Sequence, residues 1–220
     1  MTASRYRGVL FDLDGTLIDT APDFAACLNL LLAAENRPLV DIADIRELIT
    51  DGSAALIAVA FGYTADDPRF EPLRQRFLTL YLANSAVASK PFPGIEPLLL
   101  QLGDSSIPWG IVTNKPDRYT RALLRDLPLT PPPATVICPD HVTYTKPHPE
   151  SVLLACRELD LAPADVIFIG DHRRDIDAGR AAGTATVAAA YGYVGDTDPP
   201  RHWGAHHLIN AVAELHALLF

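Results

Sequence analysis

A chain of 220 residues is long enough for one sizeable α/β core, alone or carrying a smaller insertion. Its 27 acidic against 18 basic side chains leave a net charge of −9, a surface that repels nucleic acid and anionic membranes. No apolar run approaches the roughly 20 residues of a membrane helix, and Cys27, Cys138 and Cys156 form neither a C-x-x-C pair nor a disulfide framework, which fits a reducing cytoplasm.

Met1 to Phe11 lacks the apolar stretch and the cleavage site of a signal peptide. Within it, Gly8-Val9-Leu10-Phe11 reads as a buried strand ending at Asp12. From Thr20 to Ser89 the pattern is helical and holds no convincing strand. Pro22 suits a first helical turn, with Leu28, Leu31 and Leu32 following at helix spacing. Ile45, Leu48 and Ile49 predict a second helix, and Leu73, Phe77, Leu80 and Tyr81 a third. Apolar runs then recur at Trp109–Val112, Thr135–Cys138, Val166–Ile169 and Thr186–Ala188. Apolar throughout rather than alternating, they suit central parallel strands covered on both faces. Helical spacing at Ser151–Leu159 and Ile176–Ala182, the latter stopped by Gly183, completes a βαβ alternation. Leu127–Pro133 reads as a proline-rich loop, and Ala211–Leu219 as a short amphipathic helix. The expected fold is therefore α/β, a doubly wound, mostly parallel sheet. Residues 1–19 and 90–220 are its core, and 20–89 a helical insertion.

Four patterns carry chemistry. Asp12-Leu13-Asp14-Gly15-Thr16 sits at the end of the first strand, where open parallel sheets bind ligands. Extended backbone would aim both carboxylates to one side, so that one can attack phosphorus while the other handles a proton. Val112-Thr113-Asn114-Lys115 ends another strand with a hydroxyl and an amide suited to phosphate oxygens, although alone it reads more simply as a capped loop. Lys146-Pro147 is distinctive because the chain has only Lys90, Lys115 and Lys146, and an ammonium suits phosphate. Gly170-Asp171-His172-Arg173-Arg174-Asp175 follows a strand directly and places Asp171 and Asp175 one helical turn apart, a spacing that can share a magnesium shell or simply open a helix.

In this order and strand context, the four patterns resemble the motifs of the haloacid dehalogenase-like superfamily, and the insertion resembles the helical cap of its phosphoglycolate phosphatase-like branch. Thr20-Ala21-Pro22-Asp23-Phe24, Ile137-Cys138-Pro139-Asp140-His141-Val142, Lys146-Pro147-His148-Pro149-Glu150, Tyr191-Gly192-Tyr193 and Trp203-Gly204-Ala205 are similar to the N-acetylmuramic acid 6-phosphate phosphatases of cell-wall recycling. The resemblance implies Asp12 as nucleophile and Asp14 as acid and base. It implies magnesium held by Asp12, the Asp14 carbonyl and Asp171 with Asp175 in support, and a phosphoryl group held by Thr113, Asn114 and Lys146. The partner is then a small phosphorylated metabolite, handled by a monomer or homodimer. Substrate choice falls to the insertion, with Arg46 and the Asp51-Gly52-Ser53 turn as candidates, although Arg46 also reads as solvated surface and Gly52 as a helix stop. His172 departs from the small polar or acidic residue common in relatives.

Rival chemistries fit less well. Asp14 disfavours 2-haloacid dehalogenation, and no lysine lies between Thr20 and Ser89 for a Schiff base. There is no Walker-type lysine, no cysteine with arginine six positions on, and Arg201-His202 is followed by Trp203 rather than glycine. A 2-phosphoglycolate phosphatase, a sugar phosphomutase and a non-catalytic binding protein of the same fold remain alternatives. His202, His206 and His207 lack accompanying carboxylates or thiols and read as surface.

Overall fold

Four consecutive apolar residues, all buried, form the first strand, β1 (Gly8–Phe11), in the computed structural model, which describes residues 6–220. Residues 1–5, part of the stretch read as free of a signal peptide, lie outside the described residues. After β1 the chain makes a two-residue strand, β2 (Ile18–Asp19), and four helices: α1 (Ala21–Ala34), α2 (Ile42–Ile45), α3 (Gly52–Phe61) and α4 (Phe70–Asn84). It returns through β3 (Lys90–Pro91), antiparallel to β2. Helices and strands then alternate: α5 (Ile95–Asp104), β4 (Trp109–Val112), α6 (Asp117–Asp126), β5 (Thr135–Ile137), α7 (Glu150–Glu158), β6 (Val166–Gly170), α8 (Arg173–Ala182), β7 (Ala185–Ala189), β8 (His207–Ile209) and α9 (His216–Leu219).

The main sheet runs β5-β4-β1-β6-β7-β8, every pairing parallel. Beside β1 the order reverses, with β4 on one side and β6 on the other. That is the switch point at which open α/β sheets form a crevice beyond the strand carboxyl ends. Register brings the three ends level, since Phe11 pairs with both Ile111 and Ile169.

The helical insertion has its own apolar seam. Phe24, Leu28 and Leu32 of α1 are buried with Leu56 and Ile57 of α3 and Phe77 and Tyr81 of α4. Its ends are tied together: buried Asp23 accepts from the backbone N–H groups of Ala88 and Ser89 at 2.8 and 2.9 Å and from the Ser89 hydroxyl at 2.6 Å. These bonds and the β2–β3 pair close the neck through which the chain enters and leaves the helices.

Several local expectations need correction. The helix expected across Ile45, Leu48 and Ile49 is broken, with α2 ending at Ile45 and a 3₁₀ turn at Glu47–Asp51 following. Gly52 ends that 3₁₀ turn, its N–H donating to the Ile49 carbonyl, and at φ +80°, a conformation glycine tolerates, it also opens α3. The helices α5 and α6 and the edge strand β8 went unread in the sequence. The carboxyl-terminal helix is a 3₁₀ turn at Val212–Leu215 followed by one α turn.

Candidate active site

Three strand ends meet at the crevice. Asp12 follows β1, Thr113 follows β4 and Asp171 follows β6. Lys146 reaches them from the segment after β5, and its ammonium is almost wholly enclosed. The Nζ donates to the Val112 carbonyl at 2.7 Å and lies 2.9 Å from Asp12 Oδ1 and 2.7 Å from Asp175 Oδ1. One carbonyl and two carboxylates therefore surround the ammonium, the first as a hydrogen bond and the other two as ion pairs. Burial opposes the charged form of Lys146, but Asp12 and Asp175 outweigh it and hold the pKa above the ordinary lysine value.

Asp12 keeps 15 % of its side chain exposed, and its Oδ1 also accepts from the Leu13 N–H at 2.7 Å. Burial raises its pKa to about 6, against the pull of Lys146. Asp171 is fully enclosed. Its oxygens accept from the Thr16 hydroxyl and the Tyr193 N–H, both at 2.8 Å, yet burial, with Asp12 and Asp175 beside it, pushes its pKa up to about 8. Asp12, Asp171 and Asp175 bring carboxylate oxygens within 4.8 Å of one another. Three carboxylates packed this closely, one of them driven toward protonation, form an all-oxygen donor set that suits a hard divalent cation such as magnesium.

Two glycines allow this packing. Gly15 has φ +83°, and a Cβ there would fall 2.1 Å from Asp171 Oδ2. A Cβ on Gly192 would lie 2.3 Å from the Asp171 Cβ and 2.4 Å from the Gly15 carbonyl. The tyrosines flanking Gly192 fasten the same loop: Tyr191 donates to the Thr16 carbonyl at 2.9 Å. The Tyr193 hydroxyl accepts from the N–H groups of Thr20 and Ala21 and donates to Asp19.

His172 is explained by the helix it opens. Its Nδ1 accepts from the Arg174 N–H at 3.1 Å, doing the work of an N-cap, while Asp175 Oδ2 accepts from the His172 N–H at 3.0 Å. Burial, followed by the Arg174 charge, lowers the imidazole pKa to about 4, so the ring stays neutral and able to accept. It also stacks with Trp203, 6.3 Å between ring centroids.

A cleft of about 160 Å³ opens from Asp14 and Thr113 toward the insertion. Gly52 and Ser53 line it from α3, Arg74 from α4 and Arg174 from α8. One sequence assignment needs correction. Arg46 is not on the cleft; its guanidinium lies 2.9 Å from Asp19 and 4.9 Å from the Tyr193 ring centroid, at the neck. Asn114 lines the cleft and also braces Lys146, donating to its carbonyl at 3.0 Å and accepting from its N–H at 3.2 Å, which leaves one amide N–H free to face the cleft. Arg74, Arg174, Thr16 and Lys115 were not foreseen as site residues. For Lys115 the signal was present, since lysine is so scarce in this chain.

The sequence model of the haloacid dehalogenase-like hydrolase family matches residues 9–189. The N-acetylmuramic acid 6-phosphate phosphatase of Pseudomonas aeruginosa is 46 % identical over 215 residues, covering 98 % of this chain and 95 % of its own. The phosphoglycolate phosphatase of Xylella fastidiosa is 41 % identical over 203 residues, covering 92 % and 88 %. Among solved structures, a predicted phosphoglycolate phosphatase from Haemophilus somnus superposes with a TM-score of 0.84 at 24 % identity over 98 % of both chains, a likeness of fold.

Proposed function

The chain belongs to the haloacid dehalogenase-like hydrolases and is a phosphatase, and from that premise we propose that it cleaves N-acetylmuramic acid 6-phosphate through an aspartyl-phosphate on Asp12. The observation that carries the chemistry is a partly exposed carboxylate just past the end of β1, Asp12, held 2.9 Å from the buried ammonium of Lys146. A carboxylate attacking a phosphate dianion meets repulsion, and a fixed cation beside both groups offsets it. Asp12 forms the new bond to phosphorus as the bond to the sugar oxygen breaks. Asp14 gives that oxygen its proton and later takes one from the water that cleaves the aspartyl-phosphate. Thr113, Asn114 and Lys146 hold the phosphoryl oxygens, and Asn114 also holds Lys146 in place.

Asp12, Asp171, Asp175 and the Asp14 carbonyl would hold a magnesium ion, which when bound adds charge stabilisation at the phosphoryl oxygens. Residues 20–89 act as a cap over a core of residues 1–19 and 90–220, excluding water during attack.

Support for the sugar phosphate comes from the cleft wall. Ile49, Leu78 and Tyr119 offer apolar surface beside the guanidinium groups of Arg74 and Arg174. The ring and the lactyl carboxylate of the sugar phosphate use both features, whereas a two-carbon acid leaves the apolar wall uncovered. Phosphate release from N-acetylmuramic acid 6-phosphate and 2-phosphoglycolate, measured side by side with magnesium, tests this reading. The sugar phosphate should be preferred at least tenfold in kcat/KM, and Arg74→Ala should raise its KM. A preference for phosphoglycolate would reject the substrate and leave the chemistry standing.

A further inference from the structure

Lys115 has no part in the chemistry above, yet its side chain is only 5 % exposed. Its Nζ lies 2.9 Å from Asp14 Oδ1, 3.2 Å from Asp14 Oδ2 and 2.7 Å from the Tyr81 hydroxyl. It also lies over two rings of the insertion, 4.9 Å from the Phe24 centroid and 4.6 Å from that of Tyr81. Enclosing an ammonium is costly unless it is well paired. Here its partners are the proton-handling carboxylate and the aromatic face of α1 and α4.

The two Asp14 oxygens are not equivalent. Oδ1 accepts from Lys115 at 2.9 Å and from the Thr20 hydroxyl at 2.6 Å, whereas Oδ2 has only the longer contact to Lys115. Oδ2 is therefore the oxygen left to carry a proton. We propose that Lys115 is the positioning residue for Asp14: with Thr20 it pins Oδ1 so that Oδ2 faces the leaving oxygen, and through Tyr81 it ties that orientation to the seat of α4. The proposal rests on the reading of Asp14 as proton donor. In the step concerned, the bond from phosphorus to the alcohol oxygen breaks as the bond to Asp12 forms, and the proton on Oδ2 passes to the departing oxygen.

An aryl phosphate tests the two ideas separately, because a nitrophenolate leaves without a proton and an alkoxide does not. The constant to compare is kcat/KM, which reports the phosphoryl transfer to Asp12. The esters are p-nitrophenyl phosphate and whichever of N-acetylmuramic acid 6-phosphate and 2-phosphoglycolate the wild type cleaves faster. Asp14→Asn should lose about 10²- to 10⁴-fold more on the alkyl ester than on the aryl ester. Lys115→Met should show the same asymmetry at about 10- to 100-fold, and Tyr81→Phe a smaller one of the same sign, about three- to tenfold. Equal losses on both esters for Asp14→Asn would remove the proton-transfer reading and the proposal with it. Asymmetry for Asp14→Asn with equal losses for Lys115→Met would leave that reading intact and overturn the proposal, making Lys115 a structural cation. Should Lys115→Met fail to fold, Tyr81→Phe decides alone, and equal losses there overturn the proposal.

Discussion

Asp171 shows how the metal-free site is out of balance at the level of single residues. Its folded pKa of about 8 lies well above the ordinary aspartate value of 3.8, so between those limits the folded protein binds a proton that the unfolded chain does not. Stability of the metal-free protein should therefore fall as pH rises from 4 to 8, since a raised carboxylate pKa favours the protonated folded form. A cation must displace that proton, so magnesium affinity should rise with pH, by up to about tenfold per unit below pH 8. Thermal melts at fixed magnesium should show a larger stabilisation at pH 8 than at pH 6, and an equal shift at both would remove Asp171 from the metal site. The carboxylates and Lys146 were legible because rare or charged residues at strand ends carry signal in one dimension. Arg46 was misjudged, and the bracing of Lys146 by Asn114 went unread, because both depend on neighbours distant in sequence, Asp19 with Tyr193 in one case and the Lys146 main chain in the other. His172 is likewise explained only by its helix: a neutral, half-buried imidazole can cap where an exposed one would compete with its own protonation.

At the scale of elements, the legible strands were those whose residues are buried on both faces, such as β1 and β6. The unread elements differ among themselves. α5 carries a full helical stripe, Ile95, Leu98, Leu99 and Leu102, that was legible and went unread. α6 is amphipathic but mostly polar, with only Thr120, Ala122 and Leu123 buried, so it offers few apolar residues to notice. In α3 small and apolar residues surround the helix and leave no polar face to mark a period, and Gly52 at its start closes the preceding 3₁₀ turn. β8 is three residues long at the sheet edge with Leu208 exposed. The element most dependent on a single side chain is the neck, where Asp23 holds two N–H groups and a hydroxyl of the returning chain. Asp23→Ala would leave those donors, the two on Ser89 buried, without their acceptor and should lower stability by about 2–4 kcal/mol. Chemical denaturation checks this, and a change under 0.5 kcal/mol would show that the neck is held by β2–β3 and apolar packing alone.

For the whole molecule, the order β5-β4-β1-β6-β7-β8 places β1 at the switch point, and the first long excursion of the chain, from Thr20 to Ser89, stands over the same crevice. The arrangement was readable in outline from the alternation of apolar runs and its one interruption. The cleft was not, since its wall joins α3, α4 and α8, elements far apart in sequence. Contacts also cross between insertion and core: Arg174 reaches Asp51 at 3.1 Å and Lys115 reaches Tyr81 at 2.7 Å. A crevice enclosed this way suits a two-step reaction in which phosphate rests on the protein between steps. Acid quenching of Asp14→Asn after mixing with p-nitrophenyl phosphate and magnesium, followed by mass analysis of peptides, measures that resting state. Phosphate on the peptide carrying Asp12, absent when Asp12→Asn is added to the same chain, is the expected result. Continued release of nitrophenol with no phosphate on that peptide, or phosphate on another residue, would contradict Asp12 as the nucleophile.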